Sequence, residues 1–222
     1  MPTFSVRIGA DGAGLAALAE SLTGSTQGGP RRMVGLAGCP GVGKSTLAVA
    51  LARLSGSRPA VVPMDGFHLA DVELDRQGFR ARKGAPESFD GWGYAALLQR
   101  LRERPSHPVY APGFDRALEQ PLAGAIAVPA ETPLVITEGN YLLVDDPPWV
   151  AARAQLDEVW HLFADDRLRA SRLVARHIAS GKSPAEARSW VCRVDGPNAR
   201  LVEACASRAD LLVDLTGWVA PS

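Results

Sequence analysis

The feature that most constrains this sequence is a glycine-rich motif of the form G-x-x-x-x-G-K-[S/T]. Its defining residues are Gly38, Gly43, Lys44 and Ser45. The motif follows an apolar run, Met33 to Ala37, that predicts a buried strand, and it precedes a pattern from Thr46 to Leu54 that predicts a helix. In this strand–loop–helix context, backbone N–H groups and the positive end of the helix bind phosphate. The motif therefore predicts a site for nucleotide phosphates.

The loop residues have separate predicted roles. Lys44 is expected to bridge the β- and γ-phosphates of ATP, and Ser45 to ligate Mg²⁺. The residues predicted to bind the nucleotide are Gly38, Cys39, Pro40, Gly41, Val42, Gly43, Lys44, Ser45 and Thr46. A glycine-rich turn without a ligand is the alternative, and the flanking strand and helix argue against it.

Composition narrows the class of partner. The 222 residues suit one domain, 1–222, and the 24 basic residues equal the 24 acidic ones, so no global field attracts nucleic acid or an anionic membrane. No apolar run reaches the roughly 18 residues of a membrane span. We therefore expect a small-molecule partner, with no nucleic acid and no membrane. The oligomeric state stays open, with a homodimer as one option.

Cysteine usage and the amino terminus bear on location. The three cysteines have no metal-type spacing, and an odd number argues against a disulfide framework. The first residues lack the basic segment, apolar stretch and cleavage site of a secretory signal. We expect free thiols and a cytoplasmic protein.

Apolar runs alternate with helical patterns along the chain. The predicted strands are Met33 to Ala37, Pro59 to Met64, Leu134 to Thr137, Val159 to Phe163 and Leu211 to Leu215, and the predicted helices after the first are Tyr94 to Arg104, Asp166 to Ser180 and Pro184 to Arg193. Continuous apolar strands separated by helices are typical of a parallel sheet covered on both faces. We predict a three-layer α/β fold of the P-loop NTPase type with about five parallel strands, an acceptor-binding insertion at about 65–120 and a helical lid at about 165–183.

Two carboxylates follow predicted strands. Asp65 opens a long polar segment, Asp65 to Asp90, at the carboxyl end of the second strand, where ligands of open α/β sheets bind. Phosphoryl transfer to an alcohol needs a residue that orients the hydroxyl and takes its proton, and Asp65 is the candidate; a turn-stabilising carboxylate is an equal alternative. Glu138 ends the Leu134 strand and is the candidate metal-side carboxylate, with a capping role at Asn140 as the alternative.

Several strings resemble the phosphoribulokinase, uridine kinase and bacterial pantothenate kinase group of P-loop kinases. They are Asp65-Gly66-Phe67-His68, the Arg82 to Asp90 segment, Pro112-Gly113-Phe114-Asp115-Arg116 and Glu138-Gly139-Asn140-Tyr141. The chain most resembles the bacterial branch described as nucleoside- or fructose-kinase-like, over about Arg32 to Leu215. The resemblance implies that Asp65 is the catalytic base and that the Pro112 to Arg116 segment lines the acceptor pocket. We predict that this pocket contains Asp65, Phe67, His68, Lys83, Asp115 and Arg116, with a packed loop residue as an equal alternative for His68. Uridine kinases carry Tyr-Asp where this chain has Phe114-Asp115, which argues against uridine.

A cluster of arginines between Arg167 and His177 resembles the lid of these kinases. Arg172 and Arg176 match its paired arginines, and their spacing places them on one helix face, where they could clamp a triphosphate. A solvated basic face is the alternative, since 21 of the 24 basic residues are arginines. We predict that Lys44, Asp65, Arg172 and Arg176 are catalytic. Trp92, Tyr94, Trp149, Trp160 and Trp190 are expected to pack in the core.

Two classes of function remain at this point. The first is a kinase that transfers the γ-phosphoryl group of ATP to a hydroxyl of a nucleoside, pantothenate or a sugar. The second is a P-loop hydrolase that acts as a switch or regulatory binding protein. The chain has no Asn-Lys-x-Asp motif and no apolar strand that ends in Asp-Glu, which favours the kinase.

Overall fold

The computed structural model describes residues 4–23, 29–56 and 59–219. Strands and helices alternate through most of this length. In chain order the elements are β1 (Phe4–Arg7), α1 (Leu15–Thr23), β2 (Arg32–Gly38), α2 (Lys44–Leu54), β3 (Ala60–Pro63), α3 (Asp71–Gln77), α4 (Gly91–Glu103), β4 (Val109–Asp115), β5 (Gln120–Val128), β6 (Leu134–Gly139), α5 (Pro147–Arg153), β7 (Glu158–Phe163), α6 (Asp166–Ala179), α7 (Pro184–Trp190), a π-helix (Val191–Asp195), α8 (Gly196–Glu203) and β8 (Leu211–Asp214).

The central sheet has six strands in the order β1-β8-β7-β2-β6-β3, and all its neighbours are parallel. The predicted three-layer α/β fold is therefore confirmed. Every residue of β6 is buried, since it lies between β2 and β3 with helices on both faces, which explains why its sequence is apolar without alternation.

The sequence predicted about five strands in the central sheet, and the structure has six. The additional strand, β1, pairs with β8 at the sheet edge, where Phe4 lies opposite Leu211 and is 76% exposed. A four-residue edge strand buries little apolar surface, so its sequence carries no continuous apolar run. The chain before Arg32, which the family resemblance did not cover, thus contributes its strand β1 to the sheet.

Helices cover the two faces of the sheet and create two apolar clusters. One cluster lies under α1 and α2 and includes Leu47 and Trp160. The other lies under α4, α5 and α8 and includes Tyr94 and Trp149. None of the described helices is both long and apolar enough to cross a membrane.

The prediction that Trp92 packs in the core is wrong, because its side chain is 62% exposed. The buried face of α4 is set by Tyr94, Leu98 and Leu101, which recur at helical spacing. Trp92 lies two residues before Tyr94 and therefore on the other side of the helix.

Residues between β3 and β6 differ from the irregular segment that the sequence predicted. The polar stretch contains α3, whose seven residues include one buried side chain, Leu74, so no periodicity was visible. The unpredicted strands β4 and β5 form an antiparallel hairpin with an irregularity between Ala111 and Gly113. This hairpin packs beside the turn that follows β3, and it brings its tip toward the carboxyl ends of the parallel strands.

Candidate active site

The loop between β2 and α2 has a backbone that requires glycine. Gly38 has a φ of 155°, and a Cβ there would lie 2.6 Å from the carbonyl oxygen of Leu162 on the neighbouring strand. Gly41 has a φ of 78°, and a Cβ there would lie 2.8 Å from Cγ of Leu173 in α6. Both positions exclude a side chain, and Gly43, the second glycine that defines the motif, has a φ of 110°, which favours glycine.

Lys44 is held inside this loop by oxygen atoms. Its Nζ donates to the carbonyl oxygens of Gly38 (2.9 Å) and Cys39 (3.1 Å) and to Oδ1 of Asn140 (2.6 Å). Burial lowers the pKa of the Lys44 ammonium, and the charge of Glu138 opposes that shift. The ammonium is therefore positioned by hydrogen bonds at the point where the motif predicts phosphate.

Ser45 and Glu138 connect the phosphate loop to the next strand. Ser45 Oγ donates to Glu138 Oε1 over 2.8 Å, and Glu138 is buried at the end of β6. Burial and the charge of Asp65 raise the pKa of the Glu138 carboxyl, and Lys44 and Ser45 oppose this. A hydroxyl and a carboxylate at this separation are oxygen ligands of the kind Mg²⁺ prefers.

Asp65 lies in a single 3₁₀ turn, Met64–Phe67, directly after β3. Because β6 separates β3 from β2, Asp65 is about two strand spacings, or ~10 Å, across the sheet edge from the phosphate loop. Its Oδ2 lies 3.5 Å from Nη2 of Arg116, which follows β4 in the hairpin. Strand and hairpin together fix the direction of this carboxylate.

One cavity of about 1000 Å³ connects these groups. It lies beyond the carboxyl ends of β2, β6 and β3, the usual ligand position in open α/β sheets. The predicted site residues that line it are Pro40, Gly41, Gly43, Lys44, Ser45, Thr46, Asp65, His68, Lys83, Arg116, Glu138, Arg172 and Arg176. The phosphate loop, the candidate base and the α6 arginines thus face one space.

Similarity to known proteins agrees with this arrangement. No protein-family model matches the chain. The chain is 38% identical over 191 residues to the uncharacterized protein YggC of Escherichia coli (strain K12), covering 84% of this chain and 78% of YggC. It is 36% identical over 165 residues to "Putative uridine kinase C227.14" of Schizosaccharomyces pombe, covering 70% of each.

A crystal structure described as a "putative fructose transport system kinase" from Silicibacter sp. TM1040 superimposes with a TM-score of 0.81 and 39% identity, covering 90% of this chain and 99% of that one. The chain belongs to the phosphoribulokinase and uridine kinase group of P-loop kinases. YFH7 of Saccharomyces cerevisiae, a "putative P-loop containing kinase", has a TM-score of 0.76 at 20% identity and so supports the fold alone.

As a P-loop kinase the chain is an ATP-binding phosphotransferase, yet five of the predicted site residues, Gly38 among them, do not line its cavity. Phe67 packs edge-on against Tyr94, with ring centroids 5.2 Å apart. Asp115 accepts hydrogen bonds from the backbone N of Ala117 (2.8 Å) and Leu118 (3.0 Å), so it stabilises the hairpin turn.

Two residues of the phosphate loop also point away from the cavity. The side chain of Val42 is fully buried among the residues under α1 and α2. The thiol of Cys39 lies 3.5 Å from the carbonyl oxygen of Ala199, and burial raises its pKa to about 12. These side chains anchor the loop of the kinase, and only their backbone atoms are candidates for phosphate contact.

His68 has a structural role beside its place in the cavity. Its Nδ1 lies 2.8 Å from the carbonyl oxygen of Asp65, and its ring packs on Phe89 (4.0 Å between centroids) and Phe114 (5.0 Å). Burial lowers the pKa of the imidazole, so a neutral ring is favoured. His68 therefore supports the turn that carries Asp65.

The predicted lid of the kinase, about 165–183, covers α6 and the turn before α7, and α6 lies directly on the phosphate loop. Arg172 donates from Nη1 to the carbonyl oxygen of Val42 over 3.3 Å, and Arg176 follows one turn later on the cavity side. Arg169, which was not among the predicted site residues, is buried and donates from Nη2 to Asp166 (2.6 Å) and Glu203 (3.0 Å). Its position four residues before the buried Leu173 was the available signal.

Other residues of the cavity wall were missed as well. They include Asp71, Arg80, Glu119, Asn140, His177, Lys182, Asp195, Trp218 and the half-buried Trp190, which was predicted to pack in the core. Asn140 stands two residues after Glu138 and could have been found from the strand end. The others come from helices and turns far apart in sequence, and no local motif marks them.

Proposed function

We propose that the kinase transfers the γ-phosphoryl group of ATP to a hydroxyl of a small metabolite, with Asp65 as the base. The observation that carries the proposal is that Asp65 and the phosphate loop face the same cavity from strands two positions apart. A cavity of about 1000 Å³ is large enough for a nucleotide and a small acceptor side by side.

Asp65 would act on the acceptor hydroxyl. The hydroxyl oxygen bonds to the γ-phosphorus, the bond from that phosphorus to the β–γ bridging oxygen breaks, ADP leaves, and the proton passes to the Asp65 carboxylate. Arg116, 3.5 Å from that carboxylate, would keep it directed into the cavity. Since such a transition state demands little covalent help, positioning is the main contribution of the protein.

Ser45 and Glu138 would hold Mg²⁺ together with the phosphates. Among the described residues no group of three or more His, Cys, Asp or Glu side chains could hold a metal ion by itself. This fits Mg²⁺, which takes one or two protein ligands and completes its shell with water and phosphate oxygens. When bound, the ion would neutralise charge on the β- and γ-phosphoryl oxygens.

Lys44, Arg172 and Arg176 would surround the phosphates. Lys44 already lies among the loop carbonyls, so nucleotide binding would exchange those hydrogen bonds for bonds to phosphate. Arg172 and Arg176 extend the positive wall along α6 and would stabilise the charge that develops during transfer.

The test is release of ADP by purified protein with Mg-ATP and a panel of nucleosides, pantothenate and free sugars. We expect release to depend on the acceptor and to fall by at least 100-fold in Lys44→Ala, the loss of a charge aimed at the transition state. Exposed Arg53 at the end of α2 provides the matched control, since Arg53→Ala removes one positive charge outside the cavity. ATP hydrolysis that no acceptor stimulates would instead favour a switch hydrolase.

A further inference from the structure

The two ends of the cavity differ in charge. At the phosphate-loop end, three basic side chains, Lys44, Arg172 and Arg176, face one carboxylate, Glu138. At the other end, three basic side chains face three carboxylates. These are Arg80, Lys83, Arg116, Asp65, Asp71 and Glu119, and we call this set the acceptor end.

The charges of the acceptor end are also paired in space. Asp71 bonds both to Lys83, whose Nζ is 2.7 Å from Oδ1, and to Arg80 through Oδ2. Arg116 pairs with Asp65. Lys83 further donates to the backbone oxygen of Glu119. Each basic group here has an anionic neighbour inside the protein.

The remaining lysine and carboxylate of the cavity wall, Lys182 and Asp195, lie on the α7 side. Lys182 lies over the ring of Trp190, 4.8 Å from its centroid, and Asp195 accepts from His177 across 2.8 Å. Besides His177, which Asp195 faces, the α7 side thus carries one cation and one carboxylate. The unbalanced positive charge of the cavity is confined to the place where phosphates bind.

From this distribution we infer that the acceptor is an uncharged polyhydroxylated compound, such as a free sugar or polyol, and carries no carboxylate or phosphate. The inference rests on the proposed kinase function. An anionic group at the acceptor end would have to break an existing ion pair, and it would lie near carboxylates and the γ-phosphoryl group of ATP. Pantothenate and sugar phosphates are therefore disfavoured.

The same groups suit hydroxyls. Carboxylates accept hydrogen bonds from O–H groups, while the free N–H groups of Lys83 and Arg116 donate to hydroxyl oxygens. Lys83 Nζ lies 5.6 Å and Arg116 Cζ 5.9 Å from the centroid of the Phe114 ring, so the ring offers an apolar surface next to polar groups. A compound with many hydroxyls on a small carbon skeleton matches both features.

The first test measures anion binding by calorimetry. Protein saturated with Mg²⁺ and a non-hydrolysable ATP analogue is titrated with inorganic phosphate. We expect little binding by the natural chain and at least tenfold tighter binding by Asp71→Asn, because Arg80 and Lys83 lose their shared partner. Asp75→Asn is the control, since Asp75 is exposed on the same helix and outside the cavity wall.

Glu119→Gln provides a second variant, because it removes one charge of the acceptor end and keeps the Lys83–Asp71 bond. We expect it also to bind phosphate more tightly than the control does. Strong phosphate binding by the natural chain, or equal gains in Asp75→Asn, overturns the inference. Failure of the ATP analogue to bind would count against the kinase function itself, which separates the two ideas.

The second test compares acceptors in matched pairs that differ in charge. Ribose is compared with ribose 5-phosphate, panthenol with pantothenate, and glycerol with glycerate, and ADP release is the readout. The inference predicts that within each pair any activity is at least tenfold higher with the neutral member. A higher activity with an anionic member overturns the inference. If no pair supports turnover, the phosphate titration alone decides whether the acceptor end disfavours anions.

Discussion

Ser45 Oγ and Glu138 Oε1 are joined by a 2.8 Å hydrogen bond that links the first residues of α2 to the end of β6. The register of the sheet explains this contact, because Glu138 lies opposite Leu36 of β2 and Pro63 of β3. The carboxylate is therefore held midway between the phosphate loop and the turn that carries Asp65. Glu138 is thus placed to affect both metal binding at the loop and the charge around Asp65.

Glu138→Gln should weaken the response to Mg²⁺. The amide oxygen can still accept from Ser45, but the negative charge that favours a divalent cation is lost. We expect the Mg²⁺ concentration for half-maximal rate to rise at least tenfold, measured from initial rates at saturating ATP. Exposed Glu131, just before β6, gives the control variant Glu131→Gln. An unchanged Mg²⁺ response would mean that Glu138 has only a structural role, such as capping the turn at Asn140.

Asp65→Asn should separate binding from transfer. The amide keeps the shape of the side chain but cannot take a proton, and positioned general-base catalysis contributes roughly 10²–10⁴-fold. We expect acceptor phosphorylation to fall by that range while ATP affinity, measured by calorimetry, stays near normal. Loss of ATP affinity with an intact transfer rate would make Asp65 a metal-side ligand.

Arg172→Ala and Arg176→Ala should lower kcat by about 10-fold or more and change the KM for ATP less, because charge develops on the phosphoryl oxygens during transfer. Arg167→Ala is the control, as Arg167 is exposed on the same helix and outside the cavity wall. Steady-state kinetics of the three variants distinguish the alternatives. If all three behave like the natural chain, α6 has only a solvated basic face.

The stability of the protein should fall at acid pH through His161. Burial and the charges of Lys44 and Arg169 lower the pKa of this imidazole to about 4, and its Nδ1 has no hydrogen-bond partner among the described residues. In the unfolded chain this imidazole has an ordinary pKa of about 6.5. Between about pH 4 and 6.5 it is therefore protonated in the unfolded chain and neutral in the folded chain. Stability is therefore lost as pH falls from about 6.5 to 4, by up to about 3 kcal/mol.

Chemical denaturation at pH 7 and pH 5 measures this effect. His161→Gln should show a smaller loss of unfolding free energy between the two pH values than the natural chain. His107→Gln, at an exposed position, should leave the loss unchanged. If His161→Gln keeps the full pH dependence, other groups cause it.

The sequence revealed the parts of the fold that depend on local chemistry. The phosphate loop needs glycine at Gly38 and Gly43 for its backbone conformation, so its motif is recognisable without a structure. The buried strands β2, β6 and β7 are readable because both their faces are covered. Strands β1 and β5 expose most of their side chains, and β4 buries only Val109 and Ala111, so none of the three has a continuous buried run.

The site was predictable to a similar extent. Asp65 and Glu138 were found because each directly follows a strand. Asp71, Glu119 and Asp195 were not, since their meeting at one cavity depends on how α3, the hairpin and the π-helix pack together. Trp92 was misjudged because an aromatic residue in a helix gives no hint of which side it occupies until the other apolar positions are counted.

Because Gly41 has no side chain, α6 packs directly against the phosphate loop. Leu173 fills the space beside Gly41, Arg169 bonds to the Pro40 oxygen at 3.4 Å, and Arg172 bonds to the Val42 oxygen. Rotation of α6 would break these contacts, so we expect the position of the helix and the affinity for ATP to be coupled. A compound that bound at the far end of α6 and moved the helix would then change the affinity for ATP, and ATP would change the affinity for that compound by the same factor.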